Sequence, residues 1–185
     1  VARQNHPPDR LIVVDDGSTD DTVATIEAWY GQAARPFELR LVRQSNAGPA
    51  AARNRGLDEA EGIDVIALLD SDDLWLPEHL ALNLAQYDEA GVVASASRWR
   101  LIETGHDAEA ELGVKIDPAN TANLFAGQQP IISGATVRVA ALKRIGGFRP
   151  ELRFVEYLDM FLRISLIGRW GSVEQATALY RPDRA

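Results

Sequence analysis

The chain has 185 residues, of which 46% are hydrophobic and 25% charged, and its formal net charge is -8. That length and composition predict one globular domain with a hydrophobic core. The acidic balance argues against a general nucleic-acid surface, because binding a polyanion needs an excess of lysine and arginine. The absence of cysteine excludes disulfides, thiolate metal sites and cysteine nucleophiles, and it favours a cytoplasmic setting. No apolar stretch approaches the roughly 18 to 20 residues of a membrane span.

The first informative feature is an apolar run, residues 11–14, that leads directly into the acidic segment DDGSTDDT at 15–22. A run of aliphatic residues bounded by turn formers predicts a strand that is covered on both faces and parallel to its neighbours. Asp20 or Asp21 is placed to cap a helix that ends at Gly31. Taken alone, the acidic segment is also typical of a type I turn with a helix cap.

A second apolar run, residues 65–69, predicts another buried parallel strand and leads into Asp70-Ser71-Asp72-Asp73. We expect the carboxylates of both clusters to gather at the C-terminal edge of the sheet, where open α/β sheets bind ligands. Clustered carboxylates repel one another unless a cation or hydrogen-bond donors compensate them. The pattern predicts a site for a metal ion and a polar ligand, although a turn with capping residues would also use it.

The rest of the chain alternates between strand and helix patterns, which predicts an α/β fold. An acidic, poorly patterned stretch at 103–118 predicts a surface loop. The further predicted strands are 38–43, 92–97, 131–137 and 176–180, and the further predicted helices are 49–60, one beginning near Pro77 and ending before Gly91, a short one ending at Gly146, and 155–168.

A series of motifs in this order resembles glycosyltransferase family 2, inverting enzymes of the GT-A fold. The resemblance covers nearly the whole chain and implies a single GT-A domain, with a Rossmann-like, mostly parallel sheet flanked by helices. It implies a nucleotide-sugar-binding half at 1–100, an acceptor-side half at 101–185, and a first family strand that precedes residue 1. The motifs are VVDDGSTDDT, SNAGPAAARNRG, LLDSDDLWLP, SGATVR, IGGF and EYLDMFLR.

The resemblance implies a transferase that moves a sugar from a UDP-, dTDP- or GDP-sugar donor to a hydroxyl of a saccharide or lipid-linked acceptor. The setting it implies is polysaccharide or glycolipid synthesis in the cytoplasm, with a peripheral association at the inner face of the membrane left open and no nucleic-acid partner. A divalent cation, Mn²⁺ or Mg²⁺, would neutralise the charge on the leaving diphosphate. By resemblance, Asp72 and Asp70 would hold it.

The same resemblance assigns residues to the donor. Those implied for the sugar side are Asp70, Ser71 and Gly134. Those implied for the nucleotide are Asp15, Asp16, Ser18, Asn46, Gly48, Arg53 and Asn54.

The general base departs from the family pattern. The family supplies an Asp directly after a Glu at the start of the late helix, and here Glu156 takes the Glu position and Tyr157 the Asp position. A tyrosine with its usual pKa of about 10 is a poor base at neutral pH. The prediction is therefore that Glu156, or Asp159 one helical turn along, takes the acceptor proton.

Three alternatives stay open at this stage. A haloacid-dehalogenase-type phosphatase would use Asp70 as nucleophile and Asp72 as acid/base, but Leu74 stands where that pattern has Thr or Val. A nucleotide-sugar-binding module without transfer is favoured by Tyr157, and a nucleotidyltransferase on a similar fold is a weaker option. Ser133-Gly134 suits either a strand bulge or a sugar-binding wall, and Trp75 suits core packing.

Overall fold

The computed structural model describes residues 1–102 and 130–182, and it contains seven strands and five α-helices within those ranges. A 3-10 helix, Ala85–Asp88, continues the third α-helix, and another, Ile132–Gly134, precedes the sixth strand. The strands are β1 (Arg10–Asp15), β2 (Glu38–Arg43), β3 (Val65–Ala67), β4 (Leu74–Trp75), β5 (Val92–Leu101), β6 (Ala135–Arg138) and β7 (Arg169–Tyr180). The helices are α1 (Thr22–Gly31), α2 (Pro49–Asp58), α3 (His79–Leu84), α4 (Val139–Arg144) and α5 (Glu156–Ser165).

The strands form two hydrogen-bonded groups. β1 and β2 pair in parallel, and the other five strands form a sheet in the order β3-β6-β5-β7-β4. Within that sheet β5 and β7 are parallel, whereas β3 with β6, β5 with β6 and β4 with β7 are antiparallel. The sheet is thus mixed rather than mostly parallel, and β3 is antiparallel to its partner. An apolar run reports that a strand is covered, but not the direction of its neighbour.

β1 and β3 are each paired on one side only, and both line a cavity of about 770 Å³. Consecutive residues of each strand, 10–14 and 65–69, lie on the cavity wall, so the cavity faces the strand edges. The aliphatic side chains of β1 are consequently half-exposed, not covered on both faces as predicted. The predicted further strand stays a prediction.

Most predicted elements are confirmed, and β2 has the predicted bounds. β5 and β7 are longer than predicted, and β5 crosses the predicted boundary between residues 100 and 101. The predicted strand 131–137 is a 3-10 helix followed by β6, and the two-residue β4 was not predicted because so short a strand has no periodicity. The predicted surface loop 103–118 lies outside the described residues.

The core determines how α5 is oriented. Met160 and Ile164 are fully buried, and Glu156 occupies the same helix face one turn earlier. Glu156 is therefore carried into the interior, where its carboxylate needs a partner. No described helix combines the length and the hydropathy that a membrane span requires.

Candidate active site

Arg53 joins two carboxylates that are far apart in the sequence. Its Nη2 donates to Asp70 Oδ1 at 2.8 Å, and its Nη1 donates to Glu156 Oε1 at 2.7 Å. The exposed fraction of the side chain is 15% for Arg53, 39% for Asp70 and 7% for Glu156. Burial on its own would lower the pKa of Arg53, but the two carboxylates outweigh it and raise that pKa. Three predicted site residues therefore form one ion-pair cluster.

The acidic turn, Asp70-Ser71-Asp72-Asp73, is anchored at both ends. The Asp70 amide donates to Ser133 Oγ at 3.0 Å, and Asp73 Oδ1 accepts from the Arg181 amide at 2.9 Å. Burial raises the pKa of Asp73. Between the anchors, Ser71 and Asp72 are exposed, and no described residue hydrogen-bonds or ion-pairs with their side chains. The turn thus presents Asp72 to solvent from a fixed backbone.

Ser133, which the sequence offered only as part of a strand bulge or a sugar-binding wall, supports the acidic turn. It is fully buried, and its carbonyl accepts the Trp75 indole N–H at 2.6 Å while its hydroxyl accepts the Asp70 amide. The available signal was a small polar residue inside an apolar segment. Gly134 beside it is packed tightly, because a Cβ there would lie 3.2 Å from the Ser97 carbonyl oxygen. Trp75 stacks on His79 with centroids 4.5 Å apart, in agreement with core packing.

The first acidic cluster holds two loops together. Asp16 accepts from the Gln44 side chain at 2.7 Å and from the amides of Ala47 and Gly48 at 2.9 and 2.8 Å. Burial works to raise the pKa of Asp16, but these three hydrogen bonds lower it overall. Asp16 therefore ties the β1–α1 loop to the β2–α2 loop. Three hydrogen-bond donors thus compensate the Asp16 carboxylate.

Asp15 lies beside it at the end of β1. Its Oδ1 accepts the Ser18 amide at 3.0 Å, and its Oδ2 lies 3.4 Å from Arg43 Nε. The hydrogen bonds from Ser18 are the largest cause of the lowered pKa of Asp15. Gly17 packs against Asn46, since a Cβ on Gly17 would lie 2.9 Å from the Asn46 amide nitrogen. The predicted nucleotide residues 15, 16, 18, 46 and 48 thus lie on two adjoining loops.

Asn54 is placed differently from its neighbour Arg53. Its Nδ2 donates to the Phe148 carbonyl at 2.8 Å, and its Oδ1 accepts the Phe148 amide at 2.8 Å. The side-chain amide therefore bonds the backbone of the Gly146-Gly147-Phe148 turn on both sides. These two hydrogen bonds hold helix α2 against that turn.

Asp159 is held by two arginines. It accepts from Arg149 Nη1 at 3.1 Å and from Arg163 Nε at 2.8 Å. Arg163 also donates to the carbonyls of Ile145 and Gly147, at 2.7 and 2.8 Å. Asp159 thus belongs to the contact between α5 and the glycine turn, while Glu156 belongs to the cluster with Asp70.

The donor atoms on the acidic turn suit a hard divalent cation. Asp70 and Asp72 supply carboxylate oxygens, which Mg²⁺ and Mn²⁺ prefer, and such sites are commonly completed by phosphate oxygens and water. In the part of the chain that the structure describes, no group of three or more His, Cys, Asp or Glu side chains is gathered for a metal. The two residues therefore fit a cation shared with a ligand rather than a closed protein site.

Both acidic clusters and Arg53 lie in a region that matches one protein family. The sequence profile described as "Glycosyl transferase family 2" matches residues 1–145. The chain belongs to glycosyl transferase family 2. The matched region contains both acidic clusters, Arg53 and Ser133, and it ends before α5. Membership of this family excludes the alternative of a haloacid-dehalogenase-type phosphatase.

Several named proteins are similar to parts of this family 2 chain. It is 43% identical over 77 residues to the succinoglycan biosynthesis protein ExoW of Rhizobium meliloti, covering 41% of this chain and 23% of ExoW. It is 33% identical over 117 residues to the putative teichuronic acid biosynthesis glycosyltransferase TuaG of Bacillus subtilis, covering 63% of this chain and 42% of TuaG. The match to an uncharacterized Nostoc glycosyltransferase spans about a third of that protein, 32%.

Solved structures share the fold. S. aureus TarS 1–349 in complex with UDP-GlcNAc superimposes with a TM-score of 0.77 at 23% identity, covering 100% of this chain and 53% of that one. The mannosyltransferase PcManGT of Pyrobaculum calidifontis, in complex with GDP-Man and Mn²⁺, gives a TM-score of 0.75 at 23% identity, covering 99% and 51%. At these identities the likeness establishes the GT-A fold alone.

Proposed function

We propose that this chain forms the donor-binding core of an inverting, cation-dependent glycosyltransferase that moves a sugar from a nucleoside-diphosphate donor to a hydroxyl acceptor. The observation that carries the proposal is the Asp70–Arg53–Glu156 cluster. It unites the acidic turn, suited to a diphosphate with its cation, with a carboxylate at the start of α5. A transferase needs both groups in one site.

On the donor side, Asp72 and Asp70 would hold a divalent cation. A cation bound there would neutralise the negative charge that develops on the leaving diphosphate. The chain's own contribution is the backbone of the acidic turn, which Ser133 and the Arg181 amide hold in place. The loops joined by Asp16 would form the nucleotide pocket, with Asp15, Ser18, Asn46 and Gly48 at its edge.

On the acceptor side, Glu156 is the proposed general base. Its Oε1 is held by Arg53, whereas Oε2 receives no hydrogen bond from the described residues and is the atom that would take the acceptor proton. Asp159 is the weaker candidate because two arginines engage it at the glycine turn. Loss of that proton makes the hydroxyl oxygen a stronger nucleophile for attack on the sugar.

Succinoglycan and teichuronic acid synthesis, named for ExoW and TuaG, suggest polysaccharide assembly as the setting. The neighbours' ligands suggest a uridine or guanosine diphosphate sugar. The first experiment is a thermal-shift series on the full-length protein with UDP, dTDP, GDP and CMP, each with and without Mn²⁺. We expect stabilisation by one diphosphate only when Mn²⁺ is present. No shift with any pair would contradict the proposal.

Glu156→Gln and Asp159→Asn then separate the two candidate bases. We expect Glu156→Gln to abolish turnover while sparing nucleotide binding at saturating Mn²⁺, and Asp159→Asn to retain turnover in the folded fraction. Unchanged turnover in Glu156→Gln would refute the assignment. A nucleotide-sugar-binding module without transfer remains the second candidate, favoured by Tyr157 in place of the usual Asp. Binding with Mn²⁺ but neither transfer nor donor hydrolysis would select it.

A further inference from the structure

We propose that Arg53 is a positioning residue that couples the acidic turn to the general base, and that it does not contact the nucleotide. The inference rests on the proposed function and reassigns Arg53 within it. One guanidinium spans carboxylates 17 residues ahead and 103 residues ahead of it in the chain. Through Arg53, the position of the donor-side Asp70 determines where the acceptor-side Glu156 is held.

The geometry calls for arginine in particular. Nη1 and Nη2 each serve a different carboxylate, at 2.7 and 2.8 Å, so the planar fork sets the separation of the two acids. A lysine would supply a similar charge without that fixed spacing. The charge is needed because only 7% of the Glu156 side chain is exposed, and an unpaired carboxylate at that depth is strongly unfavourable.

Arg53 can transmit position because its helix is held rigidly. Asn54, the next residue, bonds the Phe148 backbone twice, and the Arg53 guanidinium lies 5.6 Å from the centroid of the Phe148 ring. Ala50 and Leu57 of the same helix are buried in the core. With the helix held in this way, a change at Asp70 is felt at Glu156 rather than absorbed by α2.

Coupling of this kind is reciprocal, which gives it a distinctive signature. A cation coordinated by Asp70 competes with Arg53 for that carboxylate. If Glu156 is made neutral, Arg53 is left with Asp70 alone and competes more strongly. Glu156→Gln should therefore raise the Mn²⁺ concentration that half-saturates nucleotide binding by about threefold to tenfold. An unchanged half-saturating concentration in Glu156→Gln would overturn the inference.

The kinetic test compares Arg53→Lys with Arg55→Lys in the full-length protein. Arg55 lies on the same helix but pairs at the surface with Glu59, so it is the matched control. We expect Arg53→Lys to lower kcat by about 30-fold or more with KM for the donor within about threefold, and Arg55→Lys to change neither beyond about twofold. A tenfold loss of nucleotide affinity at saturating Mn²⁺ in Arg53→Lys would overturn the inference, and so would an unchanged kcat.

A ligand-free test keeps the inference distinct from the proposed function. Glu156→Gln should lower the melting temperature of the wild-type protein, because it weakens the ion pair with Arg53. In an Arg53→Met background the same change should raise it, because it removes an uncompensated buried charge. The same sign in both backgrounds would overturn the inference even if the protein transfers sugar. Where Arg53→Met does not fold, folding restored by Glu156→Gln supports the inference, and folding not restored overturns it.

Discussion

Ser133 Oγ lies 3.0 Å from the amide nitrogen of Asp70, although the two residues are 63 positions apart in the chain. Ser133 stands in the 3-10 helix before β6, and its fully buried hydroxyl accepts the first amide of the acidic turn. The carboxylates proposed to hold the cation therefore depend on a side chain from a distant part of the chain.

The first prediction is that Ser133→Ala leaves the Asp70 amide without its acceptor. We expect a loss of about 1–3 kcal/mol in the free energy of unfolding, the range for a buried polar group that loses its partner. We also expect weaker Mn²⁺-dependent nucleotide binding. Urea unfolding and calorimetric titration measure the two effects. Ser172→Ala removes a hydroxyl from β7 and should leave both quantities close to wild type; equal effects in the two variants would contradict the prediction.

A second prediction concerns Asn54. Asn54→Ala should lower the free energy of unfolding by about 2–4 kcal/mol, because two hydrogen bonds to the Phe148 backbone are lost together. Asn54→Asp keeps the oxygen that accepts from the Phe148 amide and loses the amide group that donates to the Phe148 carbonyl. The nucleotide affinity of the folded Asn54→Ala protein, measured well below its melting temperature, should stay within about threefold of wild type. A specific loss of affinity without destabilisation would instead place Asn54 in the nucleotide pocket.

The glycine turn provides a third prediction with an internal control. Gly146 and Gly147 have φ of +78° and +71°, but only a Cβ on Gly147 would meet a neighbour, at 2.5 Å from Asn54 Oδ1. Gly146→Ala should cost about 1–2 kcal/mol for the left-handed backbone alone. Gly147→Ala should cost about 1–3 kcal/mol more, because it also displaces Asn54. Equal melting temperatures for the two variants would show that the contact does not matter.

Acid should destabilise the fold through His79. This side chain is fully buried, its Nδ1 lies 2.7 Å from Thr177 Oγ1, and burial lowers its pKa to about 3. Because the folded pKa lies below the unfolded value of about 6.5, the unfolded chain binds the proton first and stability falls as the pH drops from about 6.5 towards 3. At pH 4.5 the loss from this residue should be about 2–3 kcal/mol.

The measurement for His79 is the pH dependence of urea unfolding. His79→Gln should flatten the curve between pH 6.5 and 4, whereas His6→Gln, at an exposed histidine, should leave its slope unchanged. A curve of unchanged slope in His79→Gln would show that other groups govern acid unfolding.

Local pattern was enough to predict most elements and the family. Aliphatic runs with flanking turn formers predicted the strands β1 and β3, and capping residues and glycines predicted the approximate limits of the helices, because these signals act over a few residues. The motifs around Asp15, Asp70 and Glu156 also stand in contiguous sequence. What periodicity does not encode is strand direction, so the antiparallel pairing of β3 with β6 was not foreseen.

The arrangement of the candidate site, in contrast, does not follow from local sequence pattern. The sequence by itself indicated the acidic turn, the segment Ala52-Arg53-Asn54 and Glu156 at the start of α5, but not that they lie together. Only the tertiary structure decided that Arg53 and Asn54, adjacent in sequence, diverge to an ion-pair cluster and to a backbone turn, and that Ser133 supports Asp70. Adjacent residues on a helix point about 100° apart, so their partners are set by what packs around the helix. That packing depends on contacts across the whole chain.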